Sequence, residues 1–171
     1  KDGQFTSFMD ALFTATSATC VTGLVVVDTF LHWSIFGQVV ILCLIQIGGL
    51  GVTCVGVTLI LAAGKRIGLK ARQLIKESWN VSTYGGLVKL VKSVLKLPLL
   101  FEGVGALLSF IVFVQDYPPL DALGIALFHS VAAFNNSGFD VLGGLQNLIP
   151  YQNDVLLNLV TAGLIIFGGI G

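Results

Sequence analysis

Long uncharged stretches alternate with short polar ones along this chain, and the lengths of these stretches predict helices. Positions 29–64 hold no Lys, Arg, Asp or Glu. A helix that crosses a bilayer needs about 20 apolar residues, so residues 33–63 predict one long crossing helix. Residues 97–115 predict a second crossing, with Pro98 in its first turn, where proline is tolerated. Residues 155–171 predict the start of a third.

Two shorter runs, residues 11–27 and 122–139, predict segments that enter the membrane and return. Each begins with an apolar stretch of about 11 to 14 residues, too short to cross, followed by a polar stretch that contains glycine. Acidic residues flank both runs, and no Lys or Arg lies nearby. A crossing would therefore bring acids to the cytoplasm with no basic residue beside them. We expect each run to dip in from the outside.

These two runs also repeat each other. The block Ala-Leu-Phe at 11–13 recurs at 126–128, and the same offset of 115 pairs Gly23 with Gly138. A second block recurs downstream at an offset of 120, in which Leu44-Ile45 and Gly48-Gly49-Leu50-Gly51 match Leu164-Ile165 and Gly168-Gly169-Ile170-Gly171. The repeat unit is a crossing helix, a short re-entrant helix, a glycine turn and a crossing helix. Because neither copy is whole, we expect a partial chain.

Basic residues cluster in one segment and indicate its side of the membrane. Eight of the nine Lys and Arg lie at 65–96, whereas seven of the nine acids lie in segments predicted to face outward. The positive-inside rule then predicts a cytoplasmic basic linker at 64–96 between two parts, residues 1–63 and 97–171. Three lysines share one helical face that suits either anionic lipid or a cytosolic partner: Lys89, Lys92 and Lys96.

Composition supports the same class and excludes others. Charged residues make up 11% of the chain, against about 25% in soluble domains, and the mean hydropathy is +0.93. We therefore predict an all-α polytopic membrane protein. A net charge of zero argues against a nucleic-acid partner. No nucleophile–base pair, metal cluster or phosphate loop is recognisable in the sequence, so we predict that the chain is not an enzyme.

The glycine stretches after the short helices have the chemistry of a cation filter. A helix that enters from outside points its C-terminus, with about half a negative charge, at the bilayer centre. The chain beyond it can present carbonyl oxygens, which replace the hydration shell of potassium in channel filters. The predicted ion-binding residues are Val21, Thr22, Gly23, Leu24, Asn136, Ser137, Gly138 and Phe139. Asp28 and Asp140 follow these stretches as acids that would concentrate cations at the outer mouth; for Asp28 the alternative is an ordinary loop or cap residue.

Three segments resemble the Trk/Ktr/HKT family of potassium-uptake proteins, most of all the bacterial Ktr membrane subunit. Residues 16–28 (TSATCVTGLVVVD) resemble the first pore loop of that family, and residues 46–51 (QIGGLG) resemble the helix that follows it. Residues 133–140 (AFNNSGFD) resemble the second pore loop. The likeness covers nearly the whole chain.

This resemblance implies potassium uptake through four helix–pore-loop–helix repeats of the potassium-channel type, of which about two lie in this chain. It also implies a homodimer in the bacterial inner membrane, crossing it several times, and a cytosolic nucleotide-binding regulatory ring. No covalently bound cofactor is implied; potassium is the cargo, with sodium as a coupling ion in some members. Within the family a glycine in each filter goes with potassium, which Gly23 and Gly138 fit, whereas a serine in the first filter goes with sodium.

Other interpretations stay open at the level of sequence. The chain would suit a membrane assembly subunit that does not conduct ions, with its glycines as packing surfaces. It would equally suit a two-pore-loop cation channel that dimerises. The cluster at 48–51 suits either close helix packing or a hinge. Glu102 lies within a predicted crossing helix and would snorkel, pair helices or couple transport to a second ion.

Overall fold

The computed structural model describes residues 6–51, 55, 73 and 87–170, and among these residues all regular structure is helical. Its helices are α1 (Phe8–Thr19), α2 (Thr29–His32), α3 (Ile35–Leu50), α4 (Leu87–Phe113), α5 (Pro119–Phe134) and α6 (Val155–Ile170), with a 3-10 turn at Ile149–Tyr151. The predicted all-α class is confirmed for the described part of the chain. The chain divides into two compact units, Lys1–Gly49 with Leu100–Gly171, and Leu50–Leu99.

The two short apolar runs each form a helix followed by an irregular segment. In α1, the Ser7 side chain accepts a hydrogen bond from the Met9 N–H, and Asp10 lies in the first turn, where an acid suits the helix dipole. In α5, Pro118 is the cap residue, Pro119 is the first helical residue and Asp121 lies in the first turn. Proline suits this position because the first N–H groups of a helix have no partner within it.

The predicted crossing helix at 33–63 begins later, at Ile35, and is interrupted at Gly51. The structure ends α3 at Leu50, where Gly51 takes a left-handed φ of +79° that L side chains rarely adopt. At about 1.5 Å per residue, α3 is about 24 Å long, shorter than the hydrocarbon core of about 30 Å. Apart from Val55, the remainder of that predicted helix lies outside the described residues.

The second predicted crossing begins earlier than expected. Helix α4 starts at Leu87, so Pro98 lies in its interior rather than in its first turn. Interior proline removes one backbone hydrogen bond, a loss that membrane helices tolerate when neighbouring groups satisfy the freed carbonyl. Within α4, Leu95–Phe113 is long and apolar enough to cross a membrane, whereas α3, α5 and α6 are apolar but have only 16 residues each. Most of the predicted basic linker at 64–96 lies outside the described residues.

The first unit packs around α5, whose buried side chains lie on several of its faces, and α5 packs against α6. Its core combines small residues with large ones, for example Ala18, Ala126, Ile45, Phe113 and Leu157. Its outer surface is also apolar: Leu120 is 87% exposed and Phe8 is 78% exposed. Such large apolar patches mark surfaces that contact lipid or protein rather than water.

Candidate functional site

The backbone turns in the same way after α1 and after α5. Val21 and Asn136 both have a φ of 55°, and Gly23 and Gly138 have φ of 73° and 72°. All four lie in the left-handed region, which costs a residue with a side chain free energy but suits glycine. The two pairs are separated by the offset of 115 seen in the sequence.

Equivalent hydrogen bonds hold both turns. The Thr22 N–H donates to the Ser17 carbonyl at 3.0 Å, and the Ser137 N–H donates to the Ala132 carbonyl at 2.9 Å. The hydroxyls of Thr22 and Ser137 donate to the same two carbonyls, at 3.3 and 3.2 Å. Each helix therefore ends in a closed turn that directs the next residues away from its axis.

The two predicted ion-binding stretches lie side by side at their glycines. A Cβ placed on Gly23 would lie 2.5 Å from the Ser137 carbonyl oxygen and 3.2 Å from the Gly138 Cα. The first distance is shorter than real Cβ contacts show, and the second is tighter than most of them, so the backbone would have to move. Any side chain at position 23 would therefore push the two stretches apart.

The other predicted ion-binding residues differ in their surroundings. Thr22, Leu24 and Asn136 are exposed, whereas Ser137 and Phe139 are buried. The Leu24 carbonyl oxygen accepts a hydrogen bond from Ser17 Oγ at 2.7 Å. A carbonyl oxygen has two lone pairs, so this oxygen keeps one for a further partner.

The sequence prediction missed the role of Ser17. Its buried hydroxyl lies 2.9 Å from Thr22 Oγ1 as well as 2.7 Å from the Leu24 oxygen, and so ties α1 to the first stretch. A polar residue near the end of an apolar helix was the available signal. The matching position after the offset of 115 is Ala132, which has no hydroxyl. The two stretches therefore have different side-chain contacts although their backbone conformations are similar.

The two predicted outer-mouth acids both bind backbone N–H groups. Asp28 Oδ1 accepts from Phe30 and Leu31 at 2.9 and 2.8 Å and caps α2, while its Oδ2 accepts from Leu145 at 3.1 Å. Asp140 Oδ1 accepts from Leu142 at 3.0 Å. Burial raises the pKa of Asp140 above its usual range, and the nearby Asp28 carboxylate raises it further. Asp28 therefore caps α2, as one of its two sequence interpretations requires.

The glycine clusters allow close packing at both helix ends. A Cβ on Gly48 would overlap the Thr19 carbonyl oxygen at the end of α1. A Cβ on Gly168 would overlap the Phe134 carbonyl oxygen at the end of α5. These contacts favour the packing interpretation of the cluster at 48–51, because the missing side chains let α3 and α6 approach the backbone of the short helices.

Glu102 lies in a hydrogen-bonded cluster beside the second stretch. Its side chain is 5% exposed and accepts from Gln46 Nε2 and Asn135 Nδ2, both at 3.2 Å. The Asn135 amide also donates to Gln46 Oε1 at 3.1 Å. Of the three roles open to Glu102 in the sequence, these contacts favour helix pairing, since they join α3, α4 and the end of α5.

Comparison with known proteins assigns the chain to a family. The model of the TrkH family, described as cation transport protein, matches residues 2–171. Ktr system potassium uptake protein B of Bacillus subtilis is 47% identical over 96% of this chain and 37% of its own length. Ktr system potassium uptake protein D of the same organism is 41% identical over the whole chain and 38% of its own length.

The name of a third relative mentions both potassium and sodium. The potassium/sodium uptake protein NtpJ of Enterococcus hirae is 39% identical over the whole chain and 38% of its own length. The chain thus spans well under half of the relatives that it matches. These names give no support to a non-conducting subunit or to a dimerising two-loop channel. The resemblance seen in the sequence is confirmed: the chain belongs to the TrkH family of cation transport proteins, a transporter family and not a family of enzymes.

Proposed function

We propose that this chain provides two filter segments of a potassium pathway, in which backbone carbonyl oxygens replace the water around the ion. The segments are residues 21–24 and 136–139. The observation that carries the proposal is the contact between Gly23 and Gly138, whose matching left-handed φ angles bring the Ser137 carbonyl toward the first segment. A potassium ion requires several such oxygens around one point, and adjacent segments supply them.

Electrostatics at the same place support a cation. The C-terminus of a helix carries about half a negative charge, and both α1 and α5 end directly before the touching segments. Asp28 and Asp140 add carboxylates after each segment, and such acids raise the local cation concentration. Anions are disfavoured by all of these groups together.

The names of the relatives support potassium as the ion. Two of them are named for potassium uptake and one for potassium and sodium. We extend potassium to this chain as the transported ion, with helix–pore-loop–helix repeats as the architecture. The proposal includes a location in the bacterial inner membrane with several crossings, a homodimer, and a cytosolic nucleotide-binding ring as regulator.

The test replaces Gly23 by serine in the protein as its gene encodes it. Initial rates of potassium and sodium uptake are measured in bacterial cells that lack their own potassium uptake, and are divided by the amount of protein in the membrane. We expect Gly23→Ser to lower the ratio of potassium to sodium uptake, because the added Cβ meets the Ser137 carbonyl and moves the oxygens that surround the ion.

Gly144→Ser is the matched control. Gly144 has a φ of +72°, nearly that of Gly23, but its nearest neighbour is the flexible Gln146 side chain at 3.4 Å. The two variants therefore carry similar backbone strain at different places. An equal ratio of the two ions in both variants, or an unchanged ratio in Gly23→Ser, would contradict the proposal.

A further inference from the structure

A buried carboxylate in a crossing helix demands an explanation, because an acid at membrane depth is costly. Glu102 on α4 lies beside the C-terminal end of α5, where the helix dipole is negative and disfavours another negative charge. The compensation comes from hydrogen-bond donors. Gln46 Nε2 donates to Glu102 Oε2, and Asn135 Nδ2 donates to Glu102 Oε1, both at 3.2 Å.

The polar groups of this cluster lie within hydrogen-bond distance of one another. Each carboxylate oxygen of Glu102 accepts from a different amide. Asn135 Nδ2 also lies 3.1 Å from Gln46 Oε1 and 2.8 Å from the Val131 carbonyl oxygen, so its two hydrogens are shared among three acceptors. The backbone carbonyl of Glu102 accepts from Ser130 Oγ at 2.7 Å. Backbone and side chain of the same residue therefore anchor α5, so α4 cannot shift without breaking both contacts.

Asn135 connects this cluster to the filter segment. It is the cap residue of α5 and directly precedes residues 136–139. Its side chain fits only because residue 49 is glycine: a Cβ there would overlap Asn135 Oδ1. A displacement of the Asn135 side chain would change the backbone at Asn136, where φ is already left-handed at 55°.

In the other copy of the repeat, the positions that match Asn135 and Gln46 carry different side chains. At the offset of 115, the position that matches Asn135 is Cys20, and at the offset of 120 the position that matches Gln46 is Ile166. Cys20 is exposed. Neither Cys20 nor Ile166 has a side-chain amide that could donate a hydrogen bond. The two segments thus have the same backbone turn but different side-chain support.

We infer that Glu102 is a positioning residue for the second filter segment: through Gln46 and Asn135 it holds the start of residues 136–139 and so contributes to the choice between potassium and sodium. This inference rests on the proposed function. Glu102 does not contact the ion in this role. It acts by fixing the backbone from which the carbonyl oxygens project, a geometry on which selectivity between two similar ions depends.

The experiment measures the Michaelis constants for potassium and sodium uptake in Glu102→Ala, Glu102→Gln and Ser109→Ala, in the protein as its gene encodes it. Ser109 is the matched control, because it is fully buried on the same helix two turns from Glu102 and its hydroxyl has no partner among the described residues. We expect Glu102→Ala to lower the preference for potassium by up to about tenfold, the scale that one or two lost hydrogen bonds set. Glu102→Gln keeps one acceptor oxygen and should lower it less.

A double variant tests whether Glu102 acts on the second segment through Asn135. In Asn135→Ala, the connection to the segment is already cut, so adding Glu102→Gln should change the preference no further. An unchanged preference in both Glu102 variants, or an additive effect in the double variant, would overturn the inference. If Gly23→Ser alters the preference while these variants do not, only the inference fails. If none of them alters it, the proposed function fails as well.

Discussion

Single atoms decide how closely the helix ends approach their neighbours in this molecule. Gly48 and Gly168 each face a backbone carbonyl oxygen that a Cβ would overlap. Backbone atoms cannot rotate away as side chains do, so such a contact is more restrictive than a crowded side chain. Gly163 on α6 has nothing within 4 Å of its Cβ position. On α6, therefore, Gly168 has no room for a side chain, whereas Gly163 has.

This difference predicts opposite effects of alanine on α6. Gly168→Ala should destabilise the fold by about 1–3 kcal/mol, because α6 must move away from the Phe134 carbonyl. Gly163→Ala should be neutral or stabilising by up to about 1 kcal/mol, the difference in helix propensity. The measurement is the midpoint of thermal unfolding of the purified protein in detergent. Equal midpoints for the two variants would show that the close contact is absent.

Charge and capping are combined in one residue where α2 begins. Asp28 caps this four-residue helix, bonds to the Leu145 N–H and places a carboxyl group after the first of the two proposed filter segments. Sequence alone left the cap and the charge as alternatives, since aspartate serves both purposes. The structure shows the cap, whereas the effect of the carboxylate on cations stays a prediction.

Two substitutions at Asp28 separate these roles. Asparagine retains an oxygen for the α2 cap but loses the charge, so Asp28→Asn should raise the Michaelis constant for potassium about twofold at low ionic strength, an effect that salt screens. Asp28→Ala should show the same change and lose about 1 kcal/mol of stability with the cap. Uptake kinetics at two salt concentrations measure the change in the Michaelis constant, and thermal unfolding measures the change in stability. A Michaelis constant that is unchanged in Asp28→Asn would assign the residue to capping alone.

Helix boundaries were harder to predict than helices. The apolar runs predicted α1, α5 and α6 because side-chain hydropathy is a local property. The end of α3 at Leu50 depends on the left-handed backbone of Gly51, and glycine also occurs within helices in this chain, as at Gly103. Likewise, the basic residues suggested that α4 begins after Lys96, whereas its first residue is Leu87. Charge indicates the side of a membrane and does not end a helix.

At the scale of the whole molecule, the distribution of charge predicts which parts face the cytoplasm. The basic linker should lie inside and the loop after the second filter segment should lie outside. Single cysteines at Gln73 and Asn153, both exposed, test this in a background in which every native cysteine of the protein is replaced by serine. A membrane-impermeant maleimide should label Asn153→Cys on intact cells and Gln73→Cys only after permeabilisation. Labelling of both positions on intact cells would contradict the predicted topology.

The sequence by itself determined the helical class, the internal repeat and the family, because hydropathy, charge and short motifs are properties of residue order. It also located both glycine stretches. Only the tertiary structure decided that Gly23 lies against Gly138, that Ser17 holds the first stretch, and that Glu102, Gln46 and Asn135 form one cluster. These last three residues are separated by 33 to 89 positions in the chain, and contacts at such separations follow from how the helices pack, which local pattern does not encode.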